Sequence, residues 1–106
     1  MQTLHRPQES VTVVVAGELD HFTAPAIRAQ LDDILRDPGI LHRSLDMADL
    51  TFMDSSGIGV LLGRLRLLQA RGGTMGVRHM RPAIEKLFRL SGMQRVMMIE
   101  DEGGRQ

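Results

Sequence analysis

The stretch SVTVVVAG, Ser10 to Gly17, is β-branched and almost unbroken in its apolar character. A strand of that kind is expected to be buried on both faces, which requires helices to cover the sheet it joins. The rest of the chain supplies them at short intervals. Thr23 can cap a helix and Pro25 suits its first turn. Ile27, Leu31, Ile34 and Leu35 form its apolar face, and Asp37-Pro38-Gly39 ends it. Ile40 to Leu50 (ILHRSLDMADL) reads as a second main strand with Leu41, Leu45 and Met47 inward, interrupted by Arg43 and Ser44. Ser55 to Arg71 reads as a helix burying Ile58, Leu61, Leu62, Leu65 and Leu68, stopped at Gly72-Gly73. TMGVRHM is a third strand. Pro82 opens a short helix with Ile84, Leu87 and Phe88 inward, closed by Ser91-Gly92, and QRVMMIE is a last strand. A weaker strand near Thr3 to Arg6 precedes them all, with RPQES turning the chain, and residues from about 100 to 106 form a polar tail expected to be loose.

The predicted order is β-β-α-β-α-β-α-β, an α/β sandwich built by parallel right-handed crossovers. At 106 residues it is one domain, residues 1–106, with one core. With no Trp or Tyr, that core is aliphatic, and the eight Met residues are read as packing material. Zero Cys excludes disulfides, thiolate catalysis and the common structural zinc sites. Thirteen basic residues balance thirteen acidic ones, so no net field draws the chain to nucleic acid or anionic lipid. There is no basic start followed by an apolar stretch, and no apolar run near the ~18 residues of a membrane span. A cytoplasmic protein with no membrane partner is the expectation.

Loops that follow parallel strands gather at one end of the sheet, where open α/β folds bind their ligands. That end is expected to hold Glu18, Asp20 and His21, then Asp49, Asp54, Ser55 and Ser56, then Arg78, His79 and Arg81. Ser55 stands at a helix N-terminus, where unpaired amides and the dipole favour negative charge. Asp54 or Ser55 as a simple helix cap is the plainer reading. A cap alone does not call for both residues, nor for Gly57, and it leaves Gly59 and Gly63 inside the helix unexplained. Those two glycines share a face with Arg66 and Ala70, open either to close approach by another backbone or to tight helix-to-sheet packing. Enzyme motifs fit poorly. A dinucleotide fingerprint would need glycine where Leu62 stands, no Lys-Ser or Lys-Thr follows Gly63, and no G-x-S-x-G surrounds Ser55. The four His residues form no i, i+4 metal pair, and His5, His42 and His79 read as isolated surface or core histidines.

GELDHFTA (Gly17 to Ala24), FMDSSGIGVLLGR (Phe52 to Arg64) and RPAIEKLFRLSGMQRV (Arg81 to Val96) together resemble the anti-sigma factor antagonists of the STAS domain family, in particular the sporulation type. The likeness covers nearly the whole chain in order, and the D-S-S-G-[IL]-G block is its most specific part. It implies a single STAS-like α/β domain, a mixed sheet of four to five strands with three or four helices. It also implies that Ser55 is phosphorylated by an ATP-dependent serine kinase that is itself the anti-sigma factor. The unphosphorylated antagonist then binds that kinase and releases the sigma factor, and a serine phosphatase restores the hydroxyl. Such a chain is no enzyme and needs no cofactor, since ATP and Mg come with the kinase. The partner surface so implied comprises Glu18, Asp20, His21, Thr23, Asp54, Ser56, Gly57, Ile58, Gly59 and Gly63. Family members usually carry apolar residues where Arg43 and Ser44 stand, which leaves the burial of that strand open. Two other classes compete: a STAS-like module of a transporter or signalling assembly that is never phosphorylated, and a nucleotide- or lipid-binding domain using the same helix end.

Overall fold

The computed structural model describes residues 2–5 and 10–100, with side chains from residue 11 onward. Five strands form one sheet in the order β1 (Gln2–His5), β2 (Ser10–Val14), β4 (His42–Asp46), β6 (Thr74–Arg78) and β7 (Met98–Ile99). β1 runs antiparallel to β2, and every other pair in this sheet is parallel. A second sheet of two parallel strands joins β3 (Gly17–Leu19) to β5 (Leu50–Met53). The helices are α1 (Ala24–Ile34), α2 (Ser55–Gln69) and α3 (Pro82–Leu90), followed by a 3-10 turn over Met93–Arg95. The mixed sheet and its helices are those the sequence predicts. β3 and β5 are additions, being too short to show as periodic segments.

Register sorts the main sheet into two unlike faces. Val13, Leu45, Val77 and Ile99 stand in line across it, as do Val11, Arg43 and Met75. All but Ile99 are buried, in one core cluster with Leu31 of α1, Leu61 and Leu65 of α2, and Ile84 and Phe88 of α3, apart from Arg43. The opposite face carries Thr12, Ser44, Gly76 and Met98, then Val14, Asp46 and Arg78. Val14 and Thr12 are only half-buried, so β2 is not covered on both sides as its composition suggests. Polar contacts finish this second face instead. The Glu100 carboxylate accepts from Ser44 Oγ at 2.6 Å, from His42 Nε2 and from Arg78 Nη2 at 3.3 Å. It lies where a Cβ on Gly76 would stand, 2.5 Å from the Glu100 Cδ.

Arg43 is fully buried, and its placement resolves the anomaly of a cation in mid-strand. Its guanidinium donates to the carbonyls of Ile34 and Asp37 at 3.2 and 2.9 Å and to that of Ile40. Arg71 reaches the Leu35 carbonyl beside it. α1 has no basic residue in its own last turn, so Arg43 and Arg71 supply from elsewhere the cations and donors a helix C-terminus lacks. Burial, with Arg71 adding to it and Asp37 opposing, pulls the Arg43 guanidinium below its ordinary pKa. It stays charged at neutral pH all the same, as an arginine does.

Three further expectations need correction. Leu41 precedes β4 and is 47% exposed, because only its carbonyl is used, accepting from Thr74 N at 2.8 Å. The final strand is confined to Met98–Ile99, since Gly92 (φ 78°) leads into the 3-10 turn that occupies Met93–Arg95. In α2 the buried set is Gly57, Val60, Leu61, Leu65 and Leu68, while Ile58 and Leu62 are only partly covered. The turn expected over residues 6–9 and the tail 101–106 lie outside the described residues.

Candidate functional site

Leu19 and Met53 are register partners at the ends of β3 and β5, and the Asp54 amide donates to the Leu19 carbonyl at 3.3 Å. Both strands therefore release their following loops side by side: Asp20 to Thr23 from one, Asp54 and Ser55 from the other. This small second sheet, and not the main one, sets the two loops together.

Asp54 is the helix cap. Its backbone is extended (φ −117°, ψ −169°), and its Oδ1 accepts from the Ser56 amide at 2.8 Å. The Asp54 carbonyl accepts from the Gly57 amide at 2.9 Å. Ser55 follows as the first helical residue, exposed, and its hydroxyl has no hydrogen-bond partner among the described residues. The division of labour answers why both residues are present: the carboxylate closes the helix and the hydroxyl is left free. Gly57 explains itself by space. A Cβ there would meet Met53 Cγ at 2.4 Å and Leu19 Cγ at 2.9 Å, so the glycine lets α2 settle on the ends of β3 and β5. Expected among partner contacts, Gly57 is instead buried in that packing. Gly59 and Gly63 behave oppositely. A Cβ on either meets nothing within 4 Å, which excludes tight helix-to-sheet packing as their reason. Gly59 is exposed, Gly63 half-buried, and Ile58 half-buried against the core.

The neighbouring loop is held as firmly. Asp20 Oδ1 accepts from the amides of Phe22 and Thr23, both at 2.9 Å, and Thr23 Oγ1 donates to the Glu18 carbonyl at 2.8 Å. The Asp20 amide donates back to Thr23 Oγ1 at 2.9 Å. Thr23 thus serves the turn before α1 and makes no side-chain cap to the helix itself. The Thr23 amide, with smaller help from Phe22, the Thr23 hydroxyl and His21, holds the Asp20 carboxyl below its ordinary value against a partial desolvation penalty. Asp20 is therefore anionic at neutral pH. Glu18 and His21 are exposed beside it.

Phe22 was not singled out by its sequence context, yet it is 88% exposed at the tip of this turn, its ring edge-on to His21 at 5.6 Å. The remaining expected residues gather elsewhere. Asp49 precedes β5 and so stands at the far end of that strand from Ser55. His79 pairs with Asp46 at 3.1 Å, Arg78 reaches Glu100, and Arg81 donates to the Ala48 carbonyl at 3.1 Å. Among the described residues no group of three or more His, Asp or Glu is arranged to hold a metal. No helix among the described residues is long and apolar enough to cross a membrane.

Comparison with known proteins identifies the family of the fold that carries this geometry. The model of the STAS domain matches residues 2–103. The chain is 40% identical over 89 residues to the anti-sigma F factor antagonist of Paenibacillus polymyxa, covering 84% of this chain and 76% of that one. It is similar in structure to the anti-sigma factor antagonist SpoIIAA in its unphosphorylated form, with a TM-score of 0.71 and 30% identity over 95% of this chain and 87% of that one. It is equally similar to the Bacillus cell fate determinant SpoIIAA in the phosphorylated form, with a TM-score of 0.70 and 34% identity over 95% and 91% of the two chains. The chain belongs to the STAS domain family, alongside the anti-sigma factor antagonists.

Proposed function

We propose that this protein is an anti-sigma factor antagonist switched at Ser55. Unphosphorylated, it binds an anti-sigma factor serine kinase and releases the sigma factor. Phosphorylation of Ser55 ends that binding, and a serine phosphatase renews it. The chain itself contributes a docking surface and an acceptor hydroxyl, while nucleotide and magnesium arrive with the kinase. The observation that carries the reading is the Ser55 hydroxyl, exposed and unengaged beside a carboxylate that has taken over the capping role.

The chemistry follows from that arrangement. A phosphate adds about −1.5 to −2 charges. Placed on the first residue of α2 it meets the positive end of the helix dipole, so the fold tolerates it. The adjoining rim already carries Glu18, Asp20 and Asp54. Further negative charge and bulk there repel a partner that fits the uncharged hydroxyl. A loss of a few kcal/mol suffices, because about 1.4 kcal/mol is tenfold in affinity. SpoIIAA in its unphosphorylated and its phosphorylated form each share the fold of this chain, with TM-scores of 0.71 and 0.70, as a switch that leaves the fold standing requires.

Incubation with the kinase and Mg-ATP, followed by intact mass, tests the reading. The wild-type chain is expected to gain one phosphate and Ser55→Ala none, with both chains binding the kinase before the reaction. Phosphate on Ser55→Ala would refute the assignment.

A further inference from the structure

The chain has three phenylalanines and neither Trp nor Tyr, and only one of the three, Phe88, is buried. Phe52 is 48% exposed on β5, paired in register with Glu18, and Phe22 is 88% exposed on the turn that follows β3. Single apolar residues on a surface are ordinary. The setting of Phe22 is not. Its amide is fixed to Asp20 Oδ1, the next amide goes to the same oxygen, and the Ala24 amide donates to the Asp20 carbonyl at 2.9 Å. The turn is held rigid, and what it presents is a bare aromatic ring.

We propose that Phe22 is the apolar anchor by which the partner kinase docks beside Ser55. This inference rests on the function proposed above and adds the residue that recognises the partner. Three observations select the kinase as the occupant. First, the Phe22 turn and Ser55 leave adjacent strand ends, and paired strands lie about 4.8 Å apart. A docking footprint covers about 800 Å² per partner, so a protein working on the Ser55 hydroxyl extends over this turn. Second, a cleft of about 170 Å³ lined by His21, Ala24, Pro25, Arg28 and Val60 lies between the turn and α2, the helix that begins at Ser55. Third, the backbone of the turn is already held by its own hydrogen bonds, so little backbone freedom is left to lose on binding. Binding energy concentrates in a few central anchors that the surrounding contacts shield from water, and the polar Glu18, Asp20 and His21 of the same segment are suited to that surrounding role. Burial of the ring also explains why a phosphate on the adjoining helix end is disruptive: a partner seated on Phe22 has no room to withdraw from the new charge.

The test uses the full chain and its purified anti-sigma factor serine kinase. Phe22→Ala is expected to weaken binding at least tenfold and to slow phosphate transfer to Ser55 at limiting concentrations, with an unchanged melting temperature. Phe22→Trp keeps an aromatic ring and introduces the only tryptophan of the chain. It is expected to bind within a few fold of wild type and to shift its emission to the blue when a tryptophan-free variant of the kinase is added. Wild-type affinity in Phe22→Ala, with phosphate still transferred to Ser55, would overturn the anchor and leave the proposed function standing. No binding and no phosphate transfer with the wild-type chain would overturn both. A wild-type dimer that Phe22→Ala converts to monomer would assign the ring to self-association and overturn the anchor as well.

Discussion

At the scale of single residues, the site is a division of tasks among side chains that look alike in sequence. The three glycines of the α2 motif separate cleanly. Gly57→Ala forces a methyl into Met53 and Leu19 and is expected to destabilise the fold by about 1–3 kcal/mol, the usual cost of overpacking. Gly59→Ala enters open space in a helix interior and is expected to stabilise by about 0.5–1 kcal/mol. Urea titration of the two variants checks both signs at once. Asp20 gives a pH prediction of its own. Its carboxyl is held below the ordinary value of 3.8, chiefly by the Thr23 amide. The stability it lends is thus full above that value and is lost as pH falls through the lower folded one. An NMR titration should find the Asp20 midpoint below 3.8, with the Phe22 and Thr23 amides losing exchange protection only as that midpoint is passed.

At the scale of elements, α1 and β7 both depend on side chains supplied from afar. Arg43→Met keeps bulk but abandons the carbonyls of Ile34, Asp37 and Ile40, and charged hydrogen bonds of this kind contribute about 1.5–3 kcal/mol each. The variant is expected to lower the urea midpoint and to speed amide exchange at the C-terminal turn of α1 before that of α2. Glu100→Ala removes the carboxylate shared by Ser44, His42 and Arg78, leaves the Ser44 hydroxyl only its 3.2 Å contact with His42 Nε2, and frees the two-residue β7, at a cost of about 1–3 kcal/mol. Faster exchange at the Glu100 amide, which donates to the Val77 carbonyl, would register it. These dependencies mark what sequence could and could not disclose. The leucine stripe of α2 repeats at helical spacing, and Pro25 and Pro82 mark the first turns of α1 and α3, so all three helices are legible. β3 and β5 have three and four residues and no usable alternation, yet their pairing is what places Asp20 beside Asp54. Arg43 looks like an interruption because its partners are backbone carbonyls, which have no letter in a sequence. Gly76 and Ser44 make sense only once Glu100, a long way along the chain, folds over them.

At the scale of the whole molecule, the domain is a rigid support for one exposed rim. The sheet registers and the Arg43 and Glu100 contacts hold the body, while β3, the turn after it and the first residue of α2 present Glu18, Asp20, Phe22 and Ser55 along one rim. The D-S-S-G block was legible as a helix start with a cap in it, because that chemistry is local, but not which residue caps, nor that Gly57 is there for packing on Met53 and Leu19. Phe22 was not, since an aromatic letter in a loop does not reveal whether its ring turns inward. Because charge is added at the rim and not in the core, phosphorylation is expected to move backbone NMR signals around residues 18–24 and 54–60 and to leave those of β4 and α3 in place. The most direct test is the affinity of the purified kinase for the two forms of the same chain, measured by calorimetry at one ionic strength. The account predicts tight binding of the free Ser55 hydroxyl and at least a tenfold loss on phosphorylation; equal affinity for both forms would contradict it.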